Sequence, residues 1–442
     1  MTDNSNEIQY LDTAALQLFQ EQQLRVALRY AQEHSAYYKR VFSEHQVDVD
    51  AVDLKTEWQK IPFTSKEDLA RYNPDFIAVP TNAIAEYVTT SGTLGSPVPI
   101  VLTDADLGRL AYNEASGLTI SGITAHDIVL ITTTLDRRFM AGLAYYLGLR
   151  RIGAATIRVG IGVPAMQWES IVNFKATALI GVPSFIVKLI LYAQEQGIDI
   201  RGTAVRKLIC IGEPIRYNSF ELNKTGQFIQ DHWGIEMYST YASTEMATAF
   251  TECSYGCGGH DLPDLIYTEV INPEGNVVPA GTPGELVFTT LGVEGMPLLR
   301  YRSGDVVVRF DTPCACGRTT HRIGPVVGRL GQMLKYKGTT IFPAAFQPLL
   351  DHLPEVETYV IEATTGPLGE DELTIYFYSK QDTDSIKAKI KAECKAQLRV
   401  TPNIEYRPAE YIQHIRNVPE LRKPRIFVDN RHGYLSPAGG GA

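Results

Sequence analysis

The chain has 442 residues, 44% of them hydrophobic and 21% charged, which is enough for more than one domain with a large buried core. A net charge of −9 argues against wholesale binding to nucleic-acid phosphates or to an anionic membrane surface, so an anionic ligand must be met by locally placed donors. The polar start MTDNSNEIQYLD lacks the apolar core of a signal peptide and no apolar run reaches membrane-spanning length. Six cysteines in so long a chain do not form a disulfide framework, and the expectation is a soluble, cytoplasmic protein.

Residues 9 to 46 read as helical, with Leu16, Phe19, Leu24, Ala27, Leu28 and Ala31 mostly at three- and four-residue steps. In IPFTSKEDLARY, Thr64 or Ser65 can cap a helix with acidic residues in its first turn. The stretch TTSGTLGSP, residues 89 to 97, follows the strand-like NAIAEYVTT and precedes the strand-like VPIVLT. Its backbone N–H groups, its hydroxyls and the absent Cβ atoms at Gly92 and Gly95 suit a phosphate cradle. Read alone, it is equally an ordinary Gly/Ser hairpin loop.

A helix is expected around Asp104 to Gly117. Strand-like DIVLITTT, RIGAATIRVG, ATALIGVP and VRKLICIGEPI then alternate with helical segments such as MAGLAYYLGLR, AMQWESIVNFK and SFIVKLILYAQEQG. Strands separated by helices of about 10 to 15 residues predict an α/β core with a substantially parallel sheet. From about Thr268, turn signals in NPEGN and PAGTPG predict an antiparallel β region. After residues 328 to 338 the pieces become small: a helix after Pro343, strands at VETYVIEAT, DELTIYFYSK and NIEYRP, and a helix near 384 to 398 with an Ile386, Ile390, Cys394, Leu398 seam. The predicted fold class is therefore α/β: a large domain over 1–330 and a small α+β domain over 331–442.

Four features bear on the phosphate loop. Gly212, Glu213 and Pro214 end a strand where open α/β sheets place a ligand crevice, although alone they read as a strand-end turn. TYASTE places Tyr241, Thr244 and Glu245 after the apparent end of another strand. The tyrosine offers a flat face for a purine, Thr244 a phosphate donor and Glu245 a carboxylate for Mg²⁺. The alternative for Glu245 is a helix-start carboxylate preceding MATAF. In LLRYRSGD, Asp305 can accept both hydroxyls of a ribose or form an Arg–Asp surface pair. Lys423, beside Arg422 and Arg425, can neutralise charge on an acyl phosphate or belong to a basic tail.

Cysteines in ECSYGCGGH and PCACGR form two thiolate-rich knuckles that fit a tetrahedral structural Zn²⁺, with free structural thiols as the alternative. Cys210 and Cys394 read as core residues.

Taken together, SAYYKRVF, IPFTSKEDL, TTSGTLGSP, GEP, YASTE, GELVFTTL, PLLRYRSGD, CACGRTTHRIGPVVGR, KYKG, IFP and the terminal lysine segment resemble the adenylate-forming superfamily of acyl-CoA synthetases, most closely its phenylacetate–CoA ligase branch. The resemblance implies a two-step reaction: a carboxylate attacks the α-phosphorus of MgATP, and the thiol of CoA then displaces AMP. It implies that Thr90, Ser91, Gly92, Thr93 and Gly95 hold phosphates and that Gly212, Glu213, Pro214 and Tyr241 line the adenine pocket. It further implies that Thr244 contacts phosphate, Glu245 serves Mg²⁺, Asp305 binds the ribose with Arg329 close to the ribose or phosphate, and Lys423 is the adenylation lysine. Rotation about Gly331 would exchange Lys423 for a loop from Lys335 to Gly338 in the thioester step. The family pattern selects Cys253, His260, Cys314 and Cys316 as zinc ligands, with Cys257 in reserve. By family position Phe139, Ala141, Gly142 and Pro183 face the acid, with helix packing as the alternative for them, while Arg137 and Arg138 suit an acid with an extra polar group.

The expected partners are thus a small-molecule carboxylic acid, ATP and CoA, and the oligomeric state is open between monomer and homodimer. Three positions depart from the pattern: Ser96 where a lysine is common, Gly331 where Asp or Lys is usual, and Pro424 after the terminal lysine. Two other functions stay open here: acyl transfer to a carrier-protein thiol, and a catalytically silent zinc-stapled nucleotide-binding protein.

Overall fold

The computed structural model describes residues 8–90, 97–336, 339–366, 371–381, 383–417 and 424–431. The first helical stretch is two helices, Thr13–His34 and Ala36–Glu44, rather than one over 9 to 46. Ser35 breaks it: its backbone is extended, its side chain caps the second helix, and its hydroxyl donates to the Asp75 carbonyl at 2.9 Å. Ser65 rather than Thr64 caps the helix Lys66–Arg71, in a full capping box with Asp68.

Strands β1 (Glu86–Thr89) and β2 (Pro99–Leu102) form an antiparallel hairpin that leads into the helix Asp104–Ile120, itself opened by a Thr103–Asp106 capping box. Then follow β3 (Ile128–Ile131), β4 (Ala155–Arg158), β5 (Ala178–Gly181), β6 (Lys207–Ile211), β7 (Glu236–Ser243) and β8 (Thr248–Glu252). Next come β9 (Gly259–His260), β10 (Ile266–Ile271), β11 (Pro283–Thr290), β12 (Tyr301–Phe310), β13 (Arg322–Ile323) and β14 (Gly328–Arg329). The last of these pairs with β12 at one side of a 12-stranded mixed sheet ordered β10-β11-β12-β13-β9-β8-β7-β6-β5-β3-β4. Strands β4, β3, β5, β6 and β7 run parallel, as the alternation of helices predicts; β7 onward is antiparallel.

The C-terminal part contributes a hairpin of β15 (Leu334–Tyr336) and β16 (Thr339–Ile341). It also contributes a four-stranded sheet, β19 (Asn403–Tyr406), β18 (Asp371–Tyr378), β17 (Thr358–Thr365) and β20 (Phe427–Asn430). Its apolar core, including Phe346, Ile375, Phe377, Ile386, Ile390 and Cys394, is a cluster of its own. The expected helix near 384 to 398 is α-helical over Thr383–Glu393 and widens to a π turn at Cys394–Leu398, which keeps Cys394 and Leu398 on the same core. Two elements without a sequence counterpart above complete this part, the helix Ala409–Arg416 and β20. The phenol of Tyr217 donates to Asp351 at 3.4 Å and Lys224 donates to the Val356 carbonyl at 2.9 Å, joining the two parts of the chain. Among the described residues no helix is long and apolar enough to cross a membrane.

One buried ion pair holds the antiparallel half together. Arg300, 2% exposed, donates to both oxygens of Glu269 at 3.0 and 2.9 Å and to the Ile61 carbonyl at 2.8 Å. Removing one partner strands the other charge in the interior. Arg300→Met is expected to lower stability by about 3–5 kcal/mol in urea unfolding; a change under about 1 kcal/mol would show that water reaches Glu269.

Candidate active site and metal centre

The stem of the candidate phosphate loop is closed by reciprocal hydrogen bonds. Thr90 donates from its N–H to the Val98 carbonyl, and the Val98 N–H donates to the Thr90 hydroxyl, both at 3.0 Å. Thr90 is only 3% exposed, so its oxygen closes the stem. Ser91, Gly92, Thr93, Gly95 and Ser96 lie outside the described residues. The Thr89 N–H donates to the Arg138 carbonyl at 3.1 Å. Arg137 and Arg138 both hold left-handed backbone, with φ of 57° and 58°, an uncommon pairing for non-glycine residues. The segment before the helix Met140–Ile152 is thus fastened to the β1–β2 hairpin.

At the carboxyl end of β6 the chain turns through Gly212 at φ 76°, a conformation natural to glycine. Glu213 does not project its carboxylate freely. It accepts from the Ser184 N–H at 2.9 Å and from the Ser184 hydroxyl at 2.8 Å, at the start of the helix Pro183–Gln196. A carboxylate there also complements the helix dipole. The Pro214 carbonyl accepts from Asn223 at 2.8 Å. GEP and Pro183 therefore form one bracket across neighbouring strand ends. Ser184 was missed by sequence reasoning; its signal is the Pro-Ser helix start.

Tyr241, Asp305 and Arg329 come together from three strands. The Tyr241 phenol donates to Asp305 Oδ2 at 2.8 Å and Arg329 Nε donates to Oδ1 at 2.9 Å. Asp305 and Arg329 are direct cross-strand partners on β12 and β14, and Asp305 is 8% exposed. Burial and the Asp305 charge raise the Tyr241 phenol well above its usual range, so it stays a donor. Its ring stacks on Phe250 at 5.9 Å. The Arg–Asp contact is thus a partly buried pair in a network, and each Asp305 oxygen keeps acceptor capacity for a ligand hydroxyl.

Two expectations about TYASTE are corrected. Tyr241 lies within β7, not past its end, and MATAF opens β8 rather than a helix. Thr244, Glu245, Met246 and Ala247 form the turn of an antiparallel hairpin in which Ser243 pairs with Thr248. All five residues of β8 are buried, and a continuous apolar run does not distinguish a buried strand from a helix. The helix-dipole alternative for Glu245 falls with the helix. The turn is fixed by Met246 N–H donating to the Ser243 hydroxyl at 3.2 Å, and Glu245 sits half-buried near Tyr301, whose phenol is raised by burial and by the Glu245 charge.

Among the proposed acid-facing residues, Gly142 has a packing explanation: a Cβ there would lie 2.1 Å from the Thr134 carbonyl oxygen. Ala141 packs on the core beside Leu135 and Tyr146. Phe139 is half-buried at the start of its helix and Pro183 is buried at the start of the next one. Lys335 is exposed on β15, with its backbone N–H held by Asp371 at 2.7 Å. Gly338 and Lys423 lie outside the described residues.

Cys253, His260, Cys314 and Cys316 converge, with their ligand atoms within 4.8 Å of one another. Cys253 Sγ lies 3.6 Å from Cys314 Sγ, and Cys316 Sγ lies 3.5 Å from His260 Nε2. A tetrahedral zinc with bonds of about 2.3 Å to sulfur needs sulfur–sulfur edges of about 3.8 Å, so the residues fit that ion. His260 Nδ1 is 3.3 Å from the Thr320 hydroxyl, which orients the ring with Nε2 inward. Burial holds its pKa down to about 3, keeping the imidazole neutral as a metal ligand must be. Cys257 is the fifth candidate; its sulfur accepts from Arg322 at 2.8 Å and lies 4.0 Å from Cys314.

The chain is similar to known proteins along most of its length. The AMP-binding enzyme family matches residues 14–294. Phenylacetate-coenzyme A ligase of Thermus thermophilus is 28% identical over 84% of this chain and 83% of its own length. That of Pseudomonas putida is 28% identical over 86% and 83% respectively. The crystal structure of 2-hydroxyisobutyryl-CoA ligase in the postadenylation state, in complex with R3-HIB-AMP, superposes with a TM-score of 0.84 at 22% identity, over 97% of this chain and 93% of that one. The chain belongs to the AMP-binding enzyme family, within the phenylacetate–CoA ligase branch of the adenylate-forming superfamily.

Proposed function

We propose that the protein activates phenylacetate or a related aryl acid with ATP and passes the acyl group to CoA. Membership of this branch makes it an AMP-forming acid–CoA ligase; the aryl acid is our reading, supported by the names of its relatives and by the half-buried aromatic ring of Phe139. In the first step a carboxylate oxygen bonds to the α-phosphorus as the bond to pyrophosphate breaks. In the second a thiol sulfur attacks the acyl carbon and AMP leaves.

The observation that carries this reading is the Tyr241–Asp305–Arg329 assembly. Asp305 would accept the ribose hydroxyls, with Arg329 balancing its charge and Tyr241 fixing its orientation. Thr244 and the 91–96 loop would donate to phosphate, and Glu245 would hold Mg²⁺, which supplies charge neutralisation on the phosphates when bound. Lys423 would stabilise the charge that builds as pyrophosphate departs. We assign residues 1–330 to an adenylating domain and 331–442 to a smaller one that turns about Gly331, bringing Lys335 and Gly338 to the site for the thioester step. Cys253, His260, Cys314 and Cys316 would hold a structural zinc.

The test is ATP–pyrophosphate exchange across aryl, arylacetic and short aliphatic acids, with CoA added separately. Exchange should depend on an aryl or arylacetic acid and be lost in Lys423→Ala, and a thioester should form only with CoA. Metal-loaded, folded protein that exchanges with none of the acids would refute the activity. Preference for a short aliphatic acid would refute the substrate class, and exchange without CoA thioester would point to a carrier-protein thiol.

A further inference from the structure

The helix Asp104–Ile120 lays one face along β8. Arg109, Asn113 and Gly117, each four residues apart, meet successive positions of that strand. Arg109 donates to the Ala247 carbonyl and, at 3.0 Å, to the Thr248 hydroxyl; Asn113 accepts from the Ala249 N–H at 3.1 Å. At Gly117 an added Cβ would lie 2.7 Å from the Thr251 hydroxyl, so helix and strand touch there.

Arg109 is the unusual member. It is 1% exposed, among the largest fully buried side chains, and its guanidinium also reaches the Leu291 carbonyl at 2.8 Å and the Leu265 carbonyl. Its four hydrogen-bond acceptors are neutral, and the attraction of the Asp106 and Asp264 carboxylates only partly offsets its desolvation. The arrangement is therefore costly for packing alone, where an apolar side chain of similar volume would avoid it. What the hydrogen bonds enforce is position. Ala247 is the last residue of the turn that carries Thr244 and Glu245, and it sits in the left-handed region at φ 48°, which is strained for alanine. The same helix follows β2 directly, and Arg109 lies in its N-terminal half, the end that continues the β1–β2 hairpin.

We infer that Arg109 is a positioning residue for adenylation, locking the Thr244–Ala247 turn to the helix that continues the phosphate hairpin. It touches no substrate; it sets where the Glu245 carboxylate, proposed to hold Mg²⁺, stands relative to the β1–β2 hairpin. The inference rests on the proposed activity. Displacement of such groups by about 1 Å can lower a rate on the order of 10²-fold. The step that needs MgATP should suffer, whereas attack of CoA on a preformed adenylate should not.

The experiment compares wild type, Arg109→Lys and Thr248→Val in two assays: acid-dependent pyrophosphate exchange over a Mg²⁺ titration, and thioester formation from supplied acyl adenylate and CoA. Arg109→Lys keeps the charge but cannot span four acceptors. It should lose roughly 10- to 100-fold in exchange and need several-fold more Mg²⁺ (on the order of 3- to 10-fold) for half-maximal rate, while thioester formation stays within about twofold. Thr248→Val removes one acceptor with little change of volume, and should show a smaller loss confined to exchange, so the inference stays testable if the lysine variant does not fold. Equal losses in both assays, or no loss in exchange, would overturn it. A wild type without acid-dependent exchange would instead overturn the proposed activity, and this inference with it.

Discussion

Asp305→Ala is expected to abolish most acid-dependent pyrophosphate exchange, by about 10²-fold or more. The estimate follows from its acceptor capacity: each hydrogen bond to a charged group contributes about 1.5–3 kcal/mol, and two ribose hydroxyls would be lost together. At about 1.4 kcal/mol per tenfold change, that is at least two orders of magnitude. The substitution also removes the partner of Arg329 and leaves the Tyr241 phenol, now held at 2.8 Å, without its acceptor. Asp305→Asn keeps one acceptor oxygen and should lose less, with most of its effect on the KM for ATP. Because an acyl adenylate carries the same ribose, Asp305→Ala should weaken its binding too, unlike Arg109→Lys. Exchange within threefold of wild type for Asp305→Ala, in a protein with unchanged melting behaviour, would remove Asp305 from the nucleotide site.

The second large effect is on stability. Purified protein should contain one zinc per chain by elemental analysis, and Cys314→Ser should lose it and melt about 10 °C lower or more. The reason lies in what the four ligands join. Cys253 follows β8, His260 ends β9, and Cys314 and Cys316 lie between β12 and β13, so the cluster closes a loop of about sixty residues. Cys257→Ser should keep the metal, because the Cys257 sulfur is already engaged by Arg322. Wild-type protein without metal, or a Cys314→Ser variant that retains it, would refute the assignment.

The candidate motifs are legible because short spacing carries them: GEP, YASTE, RSGD and the Cys-x-Cys pair each map to a compact strand end, turn or strand. What was hidden depended on partners far away in sequence. The strand at MATAF looks helical because both its faces are buried, which erases the alternation that marks a strand. The break at Ser35 depends on the Asp75 carbonyl, forty residues on. Glu213 shows no partner in its own sequence neighbourhood, and its tie to Ser184 appears only once the fold brings the two strand ends together. For Gly142 the packing alternative gains its reason only from the Thr134 carbonyl set against it in the fold. Arg109, in a run of ordinary amphipathic helix, carries no local signal at all.

The Thr89–Arg138 and Ser184–Glu213 contacts have a consequence for any attempt to retrain the enzyme toward new acids. Phe139 and Pro183, which a protein engineer would randomise if they face the acid, sit beside Arg138 and Ser184, whose hydrogen bonds reach the β1–β2 hairpin and the Gly212–Pro214 turn. On the proposed assignments, libraries built there are expected to trade acid scope against nucleotide affinity. The expected result is that selections at limiting ATP lose variants that selections at saturating ATP retain.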